Sequence, residues 1–526
     1  MKTFFSDVHS FVSKLTHLER LLFLLLCVCA IWLRLYPGFD NYIWTYDQAR
    51  DAYTIRSIIG ERNLMLVGPQ TEFFGLRHGV LFYYLLAPAY FFSQGDPNLP
   101  ALTMIAWNLT VLIPLTLLAY SWRKSTRDAL VVLALAAVSY QLIEYSRWIS
   151  NLSFAVAPLA WFYYFFWRVL QKRSLAVAAG LSLGLAIQGE FFLIYLVPLS
   201  LLYLYFVKAP LKIFGKFGLG LVLGTATFLL AEVKFHFLGT QTFFVEFLGN
   251  HTGDWVAPSS SLAKYFDHIG TTTQQLVGSL TPTMGWYFFV FLVISLLVFY
   301  QKERKQPWIV YLLAITFSHS LLFSFRFIDA VFVNIPVLFP IILLAGMTLS
   351  AWFTHYRVIA VGLLAAMVFS LLSQLQFAKT ARIPFTGAQL VQSGITFGEK
   401  LDLVHTAYEW AGDSEPFTLS VLGTPYGVST LWASLFEQQH LRTGVPLPIL
   451  TGFWANGYVG NGVLPHTDQR AKRHITIIES NYEILLDVHT VALFLENEEK
   501  ASKLLEEREI AGFRVQLREP RTDGVE

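Results

Sequence analysis

Residues 174–207 read SLAVAAGLSLGLAIQGEFFLIYLVPLSLLYLYFV. A helix needs about 20 mostly apolar residues to cross a bilayer. The run is therefore one long helix or two short crossings broken at Gln188-Gly189-Glu190. Lys and Arg positions decide, because short cytoplasmic loops are enriched in them. The basic clusters are Arg123/Lys124/Arg127, Arg168/Lys172/Arg173, Lys208/Lys212/Lys216, Lys302/Arg304/Lys305 and Arg357, with Lys2, Lys14 and Arg20 near the N-terminus. All fall on one side only if 174–207 crosses twice and another apolar run, 79–93, does not cross. The remaining candidate spans are 20–37, 101–121, 129–144, 152–170, 217–235, 284–300, 307–325, 330–351 and 358–375. The solution is a polytopic bundle of about eleven spans, with the N-terminus inside and the C-terminus outside.

Composition agrees. The 526 residues are 55% hydrophobic, 16% aromatic and only 14% charged, against about 25% charge in a soluble domain. Mean hydropathy is +0.50. A net charge of +2 supplies no basic field for nucleic acid. The only cysteines, Cys27 and Cys29, lie in an apolar run, which excludes a disulfide scaffold and a Cys-based zinc site. No small-residue cleavage site follows the first apolar segment, so it reads as a retained anchor. The expected membrane domain is 1–376, with outer loops at about 38–100 and 236–283 and with 79–93 as a helix at or dipping into the membrane surface. Residues 377–526 hold 13 Lys/Arg against 19 Asp/Glu and read as a soluble outer α/β domain. Strands are expected at 417–422, 474–478, 490–494 and 513–517, and a helix at 497–508.

Polar residues gather just outside the first span. In Tyr46-Asp47-Gln48-Ala49-Arg50-Asp51-Ala52-Tyr53, the four-residue spacing puts Asp47 and Asp51 on one helical face. Two carboxylates so placed favour a raised pKa, a bound cation or a basic partner, each of which suits a general base. The plainer reading, which spacing alone favours, is a solvated helix with Asp47 or Asp51 paired to Arg50. Further on, Arg77 and His78 precede the aromatic run 81–84, where a lipid phosphate would lie; Arg matches phosphate with its planar fork, or snorkels. Other outer-edge clusters are Glu144-Tyr145-Ser146-Arg147 with Asn151, Gln188 with Glu190, and Glu232-Val233-Lys234-Phe235-His236. In the last, Glu232 and His236 are expected on one helical face, with Lys234 elsewhere. Each has a bland reading as a cap or interface anchor. His236, His251 and His268 with Asp254 and Asp267 lack a short metal-ligand spacing. Asn250-His251-Thr252 fits a glycosylation acceptor, a match frequent by chance. There is no Walker A motif, dinucleotide fingerprint or Gly-Xaa-Ser-Xaa-Gly.

These residues resemble the GT-C superfamily of membrane glycosyltransferases, in the branch of protein O-mannosyltransferases and lipid A aminoarabinose transferases, and more narrowly the family-39-type proteins. The resemblance covers roughly 15–375. It rests on 46–51, on Leu66-Val67-Gly68-Pro69, on 78–84, on Tyr145-Ser146-Arg147 with Asn151, and on 232–236. It implies a polyprenyl-phosphate sugar donor and an acidic catalytic residue in the first outer loop, here Asp47, with Asp51 beside it. Tyr46, Arg50, Arg77, His78, Arg147, Asn151, Gln188, Glu190, Glu232, Lys234 and His236 are the candidate substrate and phosphate contacts. Where the aminoarabinose branch commonly carries Lys-Pro-Pro, this chain has Arg77-His78-Gly79-Val80; where relatives often show a His after the Gln of the span break, it has Glu190. Some superfamily members use a divalent ion and others do not, which leaves Mg²⁺ or Mn²⁺ at Asp47 and Asp51 open.

The expected reaction is an inverting transfer of a glycosyl group to an acceptor hydroxyl of a lipid, glycan or protein, on the outer face of the inner membrane. Asp47 would deprotonate the acceptor, and Arg77, His78 and Arg147 would stabilise the departing phosphate. A transporter or flippase of lipid-linked saccharides explains the spans equally well. It would place functional charge near the midplane, whereas here charge gathers at one edge. A non-catalytic scaffold is the third alternative.

Overall fold

Helices dominate the computed structural model, which describes residues 2–248 apart from 37, 72–74 and 173, scattered helical positions within 290–297, residues 306–318, most of 335–369, and 396–521 apart from 413–415 and 480–486. The chain divides into two compact units: Met1–Tyr36, Leu64–Leu85 and Leu102–Gln376 form the first, and Pro37–Asn63, Leu86–Ala101 and Phe377–Glu526 the second.

In the first unit, α1 (Lys2–Lys14) precedes α2 (His17–Leu35), and a later hairpin pairs β1 (Val67–Gln70) with β2 (Arg77–Gly79). The α1 helix is anchored by Asp7, which is buried and accepts from Tyr164 Oη at 2.7 Å and Arg168 Nη2 at 3.0 Å. Burying one charge is costly unless it is paired and hydrogen-bonded, and here both conditions hold. Two successive helices, Asn98–Leu109 and Leu112–Arg123, together make one candidate span. The expected 129–144 span is bent by 58° between Thr126–Val138 and Tyr140–Ser146, and the 217–235 span by 63° between Leu211–Gly224 and Ala226–Lys234. The 174–207 stretch breaks after Gly189 into Ala176–Gly189, a 3₁₀ turn Phe191–Tyr195 and Leu196–Phe206. Among the described residues two helices are long and apolar enough to span a membrane, Asn98–Arg123 and Ile335–Thr354, or four if each bent pair is one span. That is fewer than eleven: several other apolar helices are short, α2 carries Glu19, Arg20 and Arg34, the 22-residue helix Asn151–Lys172 is less apolar, and the expected spans 284–300 and 358–375 lie largely outside the described residues.

Helices Ala176–Gly189 and Leu211–Gly224 touch backbone to backbone. A Cβ on Gly180 would lie 2.0 Å from Phe217 O, and one on Gly220 2.1 Å from Val177 O. Glycines four apart make this approach available, the small-residue device of membrane helices.

The second unit holds a five-stranded mixed sheet in the order β4-β3-β5-β7-β6: β3 (Thr418–Leu422), β4 (Ile449–Leu450), β5 (His474–Ile478), β6 (Ser502–Ile510) and β7 (Phe513–Pro520). β3 runs parallel to β4 and β5; β7 is antiparallel to β5 and β6. Two sequence expectations fail here. Residues 490–494 are helical, within Val488–Ala501, because Asp487 caps the helix by accepting from Thr490 N at 2.9 Å and because Val491, Phe494 and Glu498 are buried at helical spacing. The helix expected at 497–508 ends at Ala501; the chain then forms β6, since Ala511 and Gly512 both take positive φ (50° and 83°) and turn it back onto β7.

The earlier segments of this unit are fastened to its C-terminal part. Arg56 makes a two-pronged bond to Glu437 at 2.6 and 3.0 Å, Trp44 Nε1 donates to Ser434 at 3.2 Å, and Gln438 Nε2 donates to Gly95 O at 2.9 Å.

Candidate functional site

In the first unit, a short hairpin of Val67–Gln70 and Arg77–Gly79 carries Arg77 and His78. It lies close against the end of helix Ala176–Gly189. A Cβ on Gly68 would sit 2.3 Å from Gly79 O, and one on Gly79 1.6 Å from Gln188 Oε1. Gln188 is fully buried, and its amide donates to Gly224 O at 3.1 Å and Thr227 Oγ1 at 2.5 Å. Asn151 Nδ2 caps the same helix end by donating to Gly189 O at 2.8 Å. Glu190, also buried, accepts from Phe192 N at 3.5 Å and starts the 3₁₀ turn. These three predicted residues thus hold the break in place.

Beside the hairpin is a cavity of about 780 Å³. Its walls are apolar, chiefly Ile187, Phe191, Ile194, Phe228, Phe243 and Phe244, and its few polar members include Arg77, Gln70, Thr240 and Glu232. Arg77 is exposed and pairs with no carboxylate among the described residues. Glu232 accepts from Thr240 N at 3.0 Å, fixing the start of helix Leu238–Leu248. The expected face shared by Glu232 and His236 does not form: the helix stops at Lys234, and His236 and Phe237 both take positive φ, 53° and 60°. Lys234 and His236 are exposed and do not line the cavity; His78 does not line it either. Helix Leu238–Leu248 falls in a stretch read from sequence only as loop, yet it supplies Phe243 and Phe244. The run Phe243-Phe244-Val245 was the available signal. His251, Asp254, Asp267, His268 and Asn250 lie outside the described residues.

Arg147 is placed differently. It is buried, and its guanidinium donates to Leu33 O at 2.6 Å, to Arg34 O at 3.4 Å and to Tyr36 O, closing the C-terminal end of α2. Glu144 lies 3.6 Å from it.

In the second unit, Thr45 and Gln48 form a capping box that starts helix Tyr46–Gly60. Asp47 thereby enters the first turn. Arg50 bridges the two carboxylates: Nη1 to Asp47 Oδ1 at 2.7 Å, Nε and Nη2 to Asp51 Oδ1 at 3.0 and 2.9 Å. The Asp47 side chain is 57% exposed and that of Asp51 4%. The Arg50 guanidinium lies 5.6 Å from the Tyr46 ring centre, and Tyr46 meets Tyr458 edge-on at 6.2 Å. A fixed cation between the carboxylates does not suit a Mg²⁺ or Mn²⁺ ion bridging them, and among the described residues no three His, Cys, Asp or Glu converge as a metal site.

No family model matches the sequence, and no curated protein matches it. Solved structures do. The crystal structure of ArnT from Cupriavidus metallidurans in the apo state aligns with a TM-score of 0.54 at 12% identity, covering 94% of this chain and 97% of that one. The same protein bound to undecaprenyl phosphate aligns with a TM-score of 0.55 over the same shares, again at 12% identity. The chain shares the fold of ArnT. The likeness extends over nearly the whole of both chains, so it includes the C-terminal sheet as well as the helices. At this identity the ArnT likeness establishes architecture alone; side-chain roles rest on the geometry described above.

Proposed function

We propose that the protein is a membrane glycosyltransferase that moves a sugar from a polyprenyl-phosphate donor to an acceptor hydroxyl on the outer face of the membrane, with inversion. The observation that carries this reading is the cavity of about 780 Å³ with Arg77 among its few polar residues. An apolar chamber bearing a cation unpaired among the described residues matches an amphiphile with a long hydrocarbon tail and an anionic head. The fold shared with ArnT, whose structure binds undecaprenyl phosphate, supports the same donor class.

Within this reading Arg77 holds the phosphate, and Asp47, the half-exposed carboxylate steadied by Arg50, takes the acceptor proton. Asp51, buried against Arg50, positions that arginine. Bond breaking is at the anomeric carbon–phosphate oxygen bond; the acceptor oxygen forms the new bond from the opposite face, and the phosphate leaves with the electron pair. The proposed topology is eleven spans, with the N-terminus inside and the C-terminal domain, 377–526, outside.

The deciding test is release of sugar from radiolabelled polyprenyl-phosphate sugar by purified protein in detergent. Transfer to a hydroxyl acceptor is expected; donor binding without any transfer would favour a flippase. Cysteines placed at Ser93 and Gly95 should be labelled from the outer side. Labelling from the cytoplasm alone would break the topology.

A further inference from the structure

The second unit has a crevice of its own at the carboxyl edge of its parallel strands. The chain passes from β3 to β4 on one side and then returns to β5 on the other. Loops leaving β3 and β5 therefore diverge, and in open α/β sheets such a reversal is where ligands bind. Here the loop after β3 runs Gly423-Thr424-Pro425-Tyr426-Gly427, and Glu479 follows β5 directly.

The enclosed space is small, about 30 Å³, which admits one water or one hydroxyl-sized group. Its polar groups are specific. Glu479 accepts from Thr424 N at 3.2 Å through one oxygen and from Trp432 Nε1 at 3.1 Å through the other. Burial raises the Glu479 carboxyl above its ordinary range, against the opposing pull of the Lys400 ammonium. The Thr424 hydroxyl is buried and has no hydrogen-bond partner among the described residues, an arrangement that costs free energy unless a ligand or water completes it.

Aromatic surface adjoins this polar point. Phe453 stacks on Tyr426 with centroids 5.4 Å apart and remains 65% exposed; Trp454 stacks on His466 at 5.4 Å and is 37% exposed. Gly427, at φ +73°, lets the Phe453 ring close on the loop, since a Cβ there would lie 2.4 Å from it.

We propose that this crevice is a saccharide-binding subsite: a neutral pyranose lays its C–H face on Phe453 and Trp454 and sends one hydroxyl to Glu479 and Thr424. The lining contains no Lys or Arg, which disfavours a phosphate or carboxylate ligand. A wholly apolar ligand would leave the Thr424 hydroxyl unserved. Lys400 already offsets the charge of Glu479, so an added ammonium is not required.

The intact protein in lipid nanodiscs is titrated with maltose, cellobiose and chitobiose, read by saturation-transfer NMR and by tryptophan fluorescence. At least one disaccharide is expected to receive saturation from aromatic protons. Phe453→Ala and Thr424→Val should each weaken its binding roughly tenfold while the melting temperature stays near that of the parent. If none of the three sugars receives saturation, or if both variants bind as the parent does, the subsite is overturned. The readout needs no sugar transfer, so failure here leaves the transferase reading untouched.

Discussion

Around Arg77 the chain sets a cation beside an apolar cavity and gives it no carboxylate among the described residues; around Asp47 it crowds two carboxylates onto one arginine. In the first arrangement no ion pair to Arg77 forms among the described residues, Glu232 of the same cavity being bonded to Thr240 N; the second is already internally paired. A cation unpaired among the described residues beside a hydrocarbon-like wall can draw its partner from outside, which is why the proposed reading places the anionic amphiphile there. A paired cluster gains little from another ion. What it offers is one carboxylate, Asp47, with an exposed side and a fixed orientation. In the proposed reading it is pairing, not charge count, that distinguishes the binding region from the chemical one.

The largest expected effect tests the second region. Asp47→Asn keeps the size and removes the base, and a general base typically contributes 10²–10⁴-fold in rate. Turnover of polyprenyl-phosphate sugar should fall by about that factor while donor binding and the melting temperature hold. Asp51→Asn should act differently: it removes the buried partner of Arg50, so loss of stability should accompany any loss of rate. A folded Asp47→Asn protein with the parent rate would remove the chemistry from this helix and leave Arg50 and its carboxylates a structural knot.

The first region predicts a smaller, binding-type effect. Arg77→Ala should weaken donor affinity about 10–100-fold, the loss of charge-assisted hydrogen bonds of roughly 1.5–3 kcal/mol. Arg77→Lys should recover only part, because Lys keeps the charge and loses the fork. Titration of detergent-solubilised protein with undecaprenyl phosphate measures both. Equal affinity in all three proteins would mean that Arg77 is a snorkelling interface residue and that the comparison has been drawn at the wrong place.

Much of this was legible in the sequence, for identifiable reasons. The break at Gln188-Gly189-Glu190 was visible because apolar length and basic loops both demanded it. The helix at Tyr46 was visible from its polar spacing, and its Arg50 bridge was the plainer of the two readings offered there. Three of the four strands expected in the C-terminal part formed. The fourth failed because 490–494 is β-branched and apolar, a pattern that short strands and buried helix faces share; the Asp487 cap decided it. Residues 497–508 misled in the opposite sense, since charged helix-formers were drawn into β6 by pairing with β7, a tertiary effect. Arg147 reads from sequence as a phosphate contact or, more plainly, a cap, and spacing cannot choose: whether an arginine closes a helix end or meets a ligand depends on carbonyls over a hundred positions earlier in the chain, Leu33 and Tyr36.

Glycine provides a finer probe of the first region. Gly79→Ala would drive a Cβ into the Gln188 amide and towards its Cα, 2.9 Å away, so either the hairpin or the helix end must move. Overpacking of this kind costs about 1–3 kcal/mol. Because Arg77 rides on the same hairpin, donor affinity should fall along with the melting temperature. If stability drops and affinity does not, the hairpin is a fastening rather than part of the donor site.

The smallest effect separates the two regions by pH. In the first unit, the hairpin and the Ala176–Gly189/Leu211–Gly224 pair meet through close glycine backbone, contacts that do not titrate. The second buries a titrating network: His474 contacts Thr418, Ser420 and Glu498 at 2.9, 3.0 and 3.0 Å, and Glu498 also accepts from Arg470 at 2.7 Å. Burial holds His474 below its ordinary value of 6.5, despite the pull of Glu498 in the other direction. Burial alone would raise Glu498, but the bonds from His474 and Arg470 outweigh it and bring the carboxyl down to about 2. Both signs agree. The unfolded chain takes up the histidine proton first as pH falls through 6.5, and the glutamate proton first between about 4.5 and 2, so the folded second unit loses stability across both windows. Glu479 works the other way, because its raised pKa favours the folded form on acidification, and it opposes His474 above about pH 4.5. The melting temperature should therefore decline most clearly below about pH 4.5, where Glu498 acts. In Glu498→Gln, which keeps a hydrogen-bonding group and cannot ionise, the parent should lose its advantage progressively as pH falls below about 4.5. Parallel curves for parent and variant over that range would show that this network does not set the acid stability of the second unit.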